Sequence, residues 1–562
     1  MEKKNKLIIL GVIILLLVAS GLTFAILTWN STMIKLGINT NCFTINYAKG
    51  NNISGSLKLI NEEDLISNNK FTIKEGVGVS GVNIGINSNC SIEGYGNIIL
   101  NITNISSAFT TGSSKGALKY AVLKNTSTIT TPSDISTTSL LNQSFDIEKK
   151  GSIDASGTLK LLTKQLSNTE LYKYIIVIYV DNNLAGNDVT SATFQGNISA
   201  DATQGKLDLA KETLNKLNSL NSTITLASGT PDFTTVSGNA GVKYNSEGYE
   251  EATGVGDGTK GIYAAEDDIG TSYYFRGAVD NNYVKFANFY WRIIRINGDG
   301  TIRMIYAGTS AHANGESEED SHVGETAYNS SYNDNTYVGY MTGSTGATTY
   351  ANTHFNTNNS TIKGVIDTWY NTNIENKGYS KYVADAIYCN DRSIANDSTT
   401  NSMLTKVNSS WTNTGLGYGT NVTAYGGFKR NFVDRTPSLK CPNNNDKFTT
   451  DSTLGNGKLT YPVALITSDE IAYAGGLALD YNTNSYIANK EFYLHTPSYY
   501  YWTLTPWAFA GGYSFVGDWG VTGRFGRSRV GDARGAARPA VSLSSVAISG
   551  GNGTINNPFT VG

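Results

Sequence analysis

The sequence predicts a mostly β protein with α+β character in its C-terminal half, and three observations favour this fold class. Gly, Asn, Ser and Thr are abundant and tyrosine (34 residues) exceeds phenylalanine (19 residues), which is typical of β-rich modules with polar turns. Short apolar or alternating runs recur between clusters of turn residues. Helical spacing of apolar residues is confined to a few short segments. With 562 residues, the chain is long enough for two to four domains.

The N-terminal segment predicts export. Lys3, Lys4 and Lys6 precede a near-continuous apolar run, Leu7 to Leu27, which is long enough to span a bilayer with its basic end inside the cell. The run contains Thr23-Phe24-Ala25, with small residues at the two positions that a signal peptidase reads. Cleavage after Ala25 and a retained transmembrane anchor both fit. Residues 1–28 are therefore interpreted as a signal peptide or membrane anchor, and the rest as secreted or displayed on the cell surface.

Residues 29–203 predict a β-sandwich. The strongest strand signal is Tyr172 to Val180, which is rich in β-branched residues and ends at Asp181-Asn182-Asn183. Further strand-like runs are Cys42 to Tyr47, Asn97 to Ile102, Leu118 to Leu123, Thr158 to Leu162 and Ala192 to Ile198. Several strands at this spacing are typical of a sandwich.

Residues 204–257 predict a short helix and a polar linker. Leu207, Ala210, Leu214 and Leu217 recur at helical spacing. A stretch rich in Ser, Thr and Gly follows to about Gly256, which indicates a domain boundary.

Residues 258–562 combine strands with short helices. Two β-rich runs flank the turn Asn297-Gly298-Asp299-Gly300, which predicts a hairpin from Tyr290 to Tyr306. A helix is predicted from Ser360 to Asn373, and a capped helix from Ser468 to Ala474 before two glycines. Remaining predicted strands are Tyr283 to Phe289, Tyr461 to Ile466, Tyr499 to Thr503 and Pro539 to Leu543, with residues 309–360 expected to be loops.

Two resemblances follow from these motifs. The segment GLTFAILTW before a strand-rich region resembles exported Gram-positive proteins of the TasA and camelysin type. A dedicated SipW-like peptidase removes the signal peptides of that family, and its members form surface fibres. The resemblance covers roughly residues 1–200, and no specific residue here carries the fibre property.

The second resemblance covers about residues 258–562. It depends on WRIIRINGDGTIRMIY, ITSDEIAYAGG, YWTLTPW and ARPAVSLSSVAISGGNGTINNPFTV in that order. This part resembles a C-terminal domain of Firmicutes surface proteins, and through it the C-type-lectin-like or formylglycine-generating-enzyme-like fold. It is also similar to the variable proteins of diversity-generating retroelements, which carry a variable binding patch just before the C-terminus. The resemblance implies a lectin-like binding head.

The four cysteines predict two disulfides, Cys42 with Cys90 and Cys389 with Cys441, each within one proposed domain. Free buried cysteines are the alternative. A thiolate zinc site is not expected, because no CxxC pair occurs.

The candidate binding residues lie between Tyr499 and Leu543, where aromatics and arginines are separated by small residues. Such side chains dominate binding hot spots, so we predict an exposed patch above buried Trp291, Trp502 and Val541. The alternative is a core segment with a few solvated arginines; Arg538 fits a buried or a surface role equally. The predicted ligand-binding residues are Trp507, Phe509, Tyr513, Phe515, Trp519, Arg524, Phe525, Arg527, Arg529 and Arg534.

Other function classes have little support. Charge is nearly balanced, 43 basic against 46 acidic residues, which gives no electrostatic case for nucleic acid. The motifs GxSxG, HExxH, Walker and Rossmann are not met in a convincing context, so neither an enzyme nor a cofactor is predicted. His312 and His322 flank the acidic run Glu316 to Asp320, but EF-hand spacing is missing and the acids are expected to be solvated. Glu-Pro-Asn and Gln-Pro-Asp, which support calcium-dependent sugar binding in such lectins, are also missing.

The sequence therefore predicts an adhesin-like surface protein whose lectin-like head binds an unidentified protein or glycan outside the cell. A structural subunit of a surface fibre and a cell-wall-active enzyme are the alternatives. A membrane contact is expected only through the N-terminal segment, if it is not cleaved.

Overall fold

The computed structural model describes residues 25–29, 42–47, 55–88, 90, 92–167, 170–204, 207–238, 240–245, 248–253, 256–316, 319–483 and 485–562. The chain divides into two compact units, Met1–Leu207 and Asp208–Gly562. The predicted mostly β class is confirmed, because strands account for 36% and helices for 19%.

The predicted signal segment lies outside the described residues except for its end, where Ala25–Trp29 forms the first strand. Among the described helices, none is both long and apolar enough to cross a bilayer.

The first unit holds two sheets that share one apolar core. A 5-stranded sheet has the order β11-β8-β13-β1-β3, and an 8-stranded sheet has the order β2-β7-β12-β9-β10-β6-β5 with β4 beside β12. Short helices span Glu62–Leu65, Ser107–Thr110 and Thr137–Leu140. The strands are β1 Ala25–Trp29, β2 Phe43–Tyr47, β3 Gly55–Leu57, β4 Leu59–Ile60, β5 Ile66–Ser67, β6 Lys70–Thr72, β7 Gly78–Ile86, β8 Gly94–Ile105, β9 Leu118–Lys124, β10 Ser144–Ser152, β11 Gly157–Leu166, β12 Leu171–Asp181 and β13 Thr193–Gln204.

Strand β12 is apolar on both faces because both faces are covered. Ile176 and Ile178 pack in the core shared with the 5-stranded sheet, whereas Ile175 and Val177 pack in a second core on the opposite face. A strand buried on both sides reads as a continuous apolar run, which is why it gave the clearest strand signal in the sequence.

The second unit contains a 10-stranded sheet, a separate 4-stranded sheet and smaller pairings. Helices span Leu209–Leu220, Tyr350–Thr353, Thr361–Tyr370, Ser398–Val407, Gly426–Phe428 and Ser468–Ala474. The strands are β14 Ala240–Asn245, β15 Gly248–Thr253, β16 Gly261–Glu266, β17 Thr271–Arg276, β18 Tyr283–Phe286, β19 Phe289–Ile296, β20 Ile302–Gly308, β21 Met341–Thr342, β22 Asn358–Asn359, β23 Val383–Ala384, β24 Tyr388–Cys389, β25 Thr423–Ala424, β26 Lys447–Phe448, β27 Val463–Ala464, β28 Tyr486–Ala488, β29 Tyr501–Ala510, β30 Tyr513–Trp519, β31 Phe525–Arg529, β32 Ala540–Leu543, β33 Ile548–Gly550 and β34 Phe559–Val561.

The helix expected in a linker belongs to the second unit. Ala210, Leu214 and Leu217 are buried in its main apolar core, and Thr213 Oγ1 donates to the Gly300 carbonyl at 2.7 Å. The helix predicted ahead of the polar linker therefore packs on the main core of the second unit.

The predicted hairpin is confirmed as β19 and β20, but the strand expected from Tyr283 to Phe289 is interrupted. Ala287 and Asn288 have φ of 54° and 67°, and they form a tight turn that pairs Phe286 with Phe289. Alanine seldom adopts positive φ, so this turn carried no strong sequence signal.

Both predicted disulfides are present, with Cα separations of 5.6 Å for Cys42–Cys90 and for Cys389–Cys441. The predicted capped helix is present as Ser468–Ala474. Its N-cap is Thr467, which forms a capping box with Glu470, and Gly475 ends the helix at φ 119°.

Candidate functional site

The predicted binding segment forms a meander of three strands, which the sequence analysis did not anticipate. Strands β29, β30 and β31 pair antiparallel, and β25 adds to the outer side of β29. The turn between β29 and β30 is Gly511-Gly512, at φ 59° and 81°, which glycine adopts without strain. Two register shifts in β29, on either side of Pro506, break the alternation that identifies a strand in sequence.

The aromatic part of the predicted patch is buried, which contradicts the expected exposure. Trp519 packs edge to face on Phe492 and Phe525, and Trp507 does so on Phe428. Loops and helices from earlier in the chain cover this face of the sheet, so the aromatics fill a core instead of meeting solvent. The buried members are Trp507, Phe509, Phe515, Trp519 and Phe525. Trp291, Trp502 and Val541, expected beneath the patch, are buried as predicted.

Three side chains form an exposed stack at the edge of this sheet. Tyr332 and Tyr513 lie with ring centroids 5.1 Å apart and planes inclined by 18°. The Arg529 guanidinium carbon lies 3.8 Å from the centroid of the Tyr513 ring. Tyr332 is 43% exposed and Arg529 is exposed. We call Tyr332, Tyr513 and Arg529 the exposed stack.

A second stacked arginine lies further in. The guanidinium carbon of Arg527 is 4.5 Å from the Trp507 ring centroid and 5.8 Å from that of half-buried Trp411. Arg527 Nη1 donates to the Tyr481 hydroxyl. Cation–π contacts of this kind hold a guanidinium in place while its charge is kept.

The other predicted arginines behave differently. Arg524 is half-buried, with its guanidinium carbon 4.7 Å from the Tyr486 ring centroid. Arg534 has a side chain 79% exposed that forms an ion pair with Asp532 at 2.7 Å. Arg538 is buried and donates to the Tyr306 carbonyl, so the structural alternative for Arg538 is the correct one.

The opposite face of β30 carries a buried carboxyl, Asp518, which is 5% exposed. Burial raises its pKa to about 6, although a hydrogen bond with Ser528 and the charges of Arg524 and Arg527 act to lower that pKa. No carboxylate forms an ion pair with Arg524, Arg527 or Arg529 among the residues that the structure describes. Arg527 and Arg529 are held by aromatic rings, and Asp518 is the carboxyl whose charge interacts with Arg524 and Arg527.

A small cavity of about 40 Å³ lies elsewhere in the second unit. Its walls include Arg295, Arg303 and Glu470, and the two arginines contact Glu470 Oε1 at 3.1 and 3.3 Å. A cavity of this size admits a few water molecules and is far below the size of an organic-ligand site. The side chains that line it form a buried ion-pair network.

His312 and His322, which were considered as metal ligands, belong to no cluster of ligand side chains among the described residues. His312 Nε2 contacts Asp320 Oδ1 at 2.5 Å, and the same carboxylate accepts from Thr309 and Ser310. Within the described part of the chain, no group of three or more His, Cys, Asp or Glu side chains converges on one point.

Three residues of this region were missed by sequence reasoning: Tyr332, Trp411 and Tyr481. Each comes from a segment distant in sequence and lies among polar residues such as Asn, Ser and Thr. A lone aromatic in a polar loop gives no periodic signal, so only the fold brings it to the arginines.

Comparison with known proteins gives no match, either among protein-family models, among curated proteins or among solved structures.

Proposed function

We propose that the protein is an exported surface protein that binds a protein or glycan partner outside the cell through the exposed stack and the adjacent arginines. The observation that carries this proposal is the contact of solvent-exposed Tyr332 and Arg529 with Tyr513. Tyrosine and arginine are enriched in binding hot spots, because they offer large, rigid contact area and forked donors. The stack is smaller than the patch that the sequence predicted, since Trp507 and Trp519 are buried.

We further propose that the first unit is a β-sandwich and that the second is a C-type-lectin-like head. The first proposal is supported by two sheets around one core. The second is supported by pairing of β34, at the C-terminus, with β18 in the main sheet, and by the separate small sheet that carries the stack.

Export is supported by the two disulfides, which persist in oxidising compartments, together with the predicted signal or anchor segment. Cell fractionation with added protease tests it. Both units should be cleaved on intact cells, and protected units would contradict export.

The binding proposal is tested by screening purified protein against arrays of glycans and of host extracellular proteins. Each hit is then repeated with Tyr332→Ala and with a double variant Tyr332→Ala/Arg529→Ala. We expect the hit to be lost in the double variant while the unfolding midpoint stays unchanged. A hit that both variants bind like the unmodified protein would remove the stack as its site.

A further inference from the structure

Lys119 lies between two carboxylates in the first unit. Its Nζ is 2.6 Å from Glu62 Oε2 and 2.8 Å from Asp181 Oδ2. Lys119 belongs to β9, and Asp181 ends β12, the neighbouring antiparallel strand. Glu62 begins the short helix Glu62–Leu65. Three elements therefore bring an amine and two carboxyl groups into direct contact.

The three groups are largely shielded from water. The side chain of Asp181 is 4% exposed, that of Lys119 14% and that of Glu62 22%. Tyr179 of β12 contacts two of the three residues, because it pairs directly with Lys119 and its hydroxyl donates to Glu62 Oε1 at 2.9 Å. An amine and a carboxyl held in contact inside a folded protein have a very high effective concentration for each other.

The two oxygens of Asp181 have different surroundings. Oδ1 accepts hydrogen bonds from the backbone N–H groups of Glu62, at 3.3 Å, and Asn183, at 3.1 Å. Oδ2 faces Lys119. If Nζ attacked Cγ, the two N–H groups would stabilise the negative charge that develops on Oδ1, and Oδ2 would be the oxygen placed to leave.

We propose that Lys119 and Asp181 form an intramolecular isopeptide bond, with Glu62 as the group that carries the proton between them. Glu62 Oε2 accepts a proton from the Lys119 ammonium, and the amine attacks Asp181 Cγ. Glu62 then returns this proton to Oδ2 and carries a second proton from Nζ to the same oxygen, so that Oδ2 leaves as water.

The step balances without an oxidant or reductant. The Nζ–Cγ bond forms and the Cγ–Oδ2 bond breaks. Of the three ammonium protons, one stays on the amide nitrogen and two leave with Oδ2 in one water molecule, and Glu62 ends as it began. The amide oxygen, Oδ1, keeps its two backbone donors.

Before reaction, Lys119, Glu62 and Asp181 are all charged, and this limits the rate of the reaction. Burial raises the pKa of Glu62, but hydrogen bonds from Lys119, Lys150 and Tyr179 outweigh burial and lower this pKa to about 2. Proton transfer from Lys119 to Glu62 is therefore uphill. We expect a slow reaction that follows folding, so that the bond accumulates while the folded protein is incubated.

Peptide mapping of the folded, incubated full chain tests the proposal. Trypsin should release the peptides around Lys119 and Asp181 as one joined species, lighter by one water than their sum and uncut after Lys119. Lys119→Arg and Asp181→Ala should yield separate peptides. Glu62→Gln keeps a side chain of the same shape and should abolish the joined species, with circular dichroism and the unfolding midpoint confirming that this variant is folded.

A second buried lysine–aspartate pair, in the second unit, serves as an internal control for the role of Glu62. Lys363 Nζ lies 2.6 Å from Asp367 Oδ2, and the two side chains are 0% and 13% exposed, but no second carboxylate contacts Lys363 among the described residues. Lys363 and Asp367 should stay unlinked. Lys150→Ala, which removes a neighbour of Glu62 Oε1 outside the reacting triad, should still allow the Lys119–Asp181 bond.

Separate Lys119 and Asp181 peptides in the folded, incubated protein would overturn the proposal. A joined species in Glu62→Gln, or a Lys363–Asp367 link, would overturn the role given to Glu62, because contact alone would then be sufficient.

Discussion

Arginines in two regions of the second unit are held in different ways. Around the small cavity, Arg295 contacts Asp267 at 2.9 Å and shares Glu470 with Arg303. On β31, Arg527 and Arg529 lie on aromatic rings instead. In the first arrangement a carboxylate contacts each guanidinium, whereas in the second each guanidinium lies on an aromatic ring and contacts no carboxylate among the described residues.

The carboxyl groups of the two regions titrate in opposite directions. Burial raises the pKa of Glu470, but the adjacent charges of Arg303 and Arg295 exceed that effect, and the pKa lies below its usual value. Burial raises the pKa of Asp518 to about 6, and Arg524 and Arg527 offset this only in part. At Glu470 the two arginines therefore outweigh the effect of burial on the pKa, whereas at Asp518 burial outweighs the effect of the arginines. The cavity is lined by an internal ion-pair network, and β31 carries two arginines of the proposed binding surface.

The largest expected effect belongs to the ion-pair network. Glu470→Gln keeps the capping bonds to Thr467 possible but leaves Arg295 and Arg303 without the carboxylate that they share. Removing one partner of a buried pair costs about 3–5 kcal/mol, and Asp267 still offsets part of this for Arg295. Denaturant unfolding measures the loss. A loss within about 1 kcal/mol would mean that the network behaves like surface ion pairs.

Next comes the buried aromatic cluster that Trp519 forms with Phe492 and Phe525. Trp519→Ala removes a fully buried ring and should lower the free energy of unfolding by about 3–5 kcal/mol. The matched control is Tyr332→Ala, which removes an exposed ring from the same region and should leave the unfolding midpoint nearly unchanged. An unaltered midpoint for Trp519→Ala, with binding lost, would restore the surface role that the sequence suggested.

The sequence was informative where a local pattern coincides with the final environment. Strand β12, the hairpin turn Asn297–Gly300 and the capped helix near Ser468 were all predicted, because apolar runs, turn glycines and capping residues act within a few positions. The disulfide partners were predicted because each pair falls within one proposed domain.

Exposure of the aromatic segment could not be predicted in this way. Tryptophan, phenylalanine and arginine occur both on binding surfaces and in protein interiors. Whether they are exposed here depends on which segments cover the sheet. Here the cover comes from distant residues such as Phe432 and Phe492. The register shifts around Pro506 also concealed the strand alternation.

A smaller effect should follow from pH at Asp518. Its carboxyl has an ordinary pKa of 3.8 when unfolded and about 6 when folded, so the folded protein takes up this proton first. The free energy of unfolding should therefore increase as pH falls from about 6 to 3.8, and it should decrease when pH is raised over the same range. Asp518→Asn should remove that contribution, worth about 2–3 kcal/mol.

Unfolding curves of both proteins at a series of pH values give the difference directly. The variant should be the more stable one at pH 7 and lose its advantage towards pH 4. A difference that does not vary with pH would show that Asp518 titrates like an ordinary surface carboxyl and would contradict the raised pKa.

The smallest effect on stability, and the one most specific to binding, is expected at Arg529. Arg529→Lys keeps the positive charge but replaces a planar fork that stacks on Tyr513 with a compact ammonium. If the partner is recognised by a stacked, forked donor, binding should weaken by about 2 kcal/mol, the scale of a hot-spot residue, with no change in the unfolding midpoint. If charge alone attracts the partner, Arg529→Lys should bind normally, and affinity should instead fall steeply with added salt. Titration calorimetry of both proteins at low and high salt distinguishes the two. Arg534→Lys is the matched control, because Arg534 is already paired with Asp532 and should tolerate the change under either mechanism.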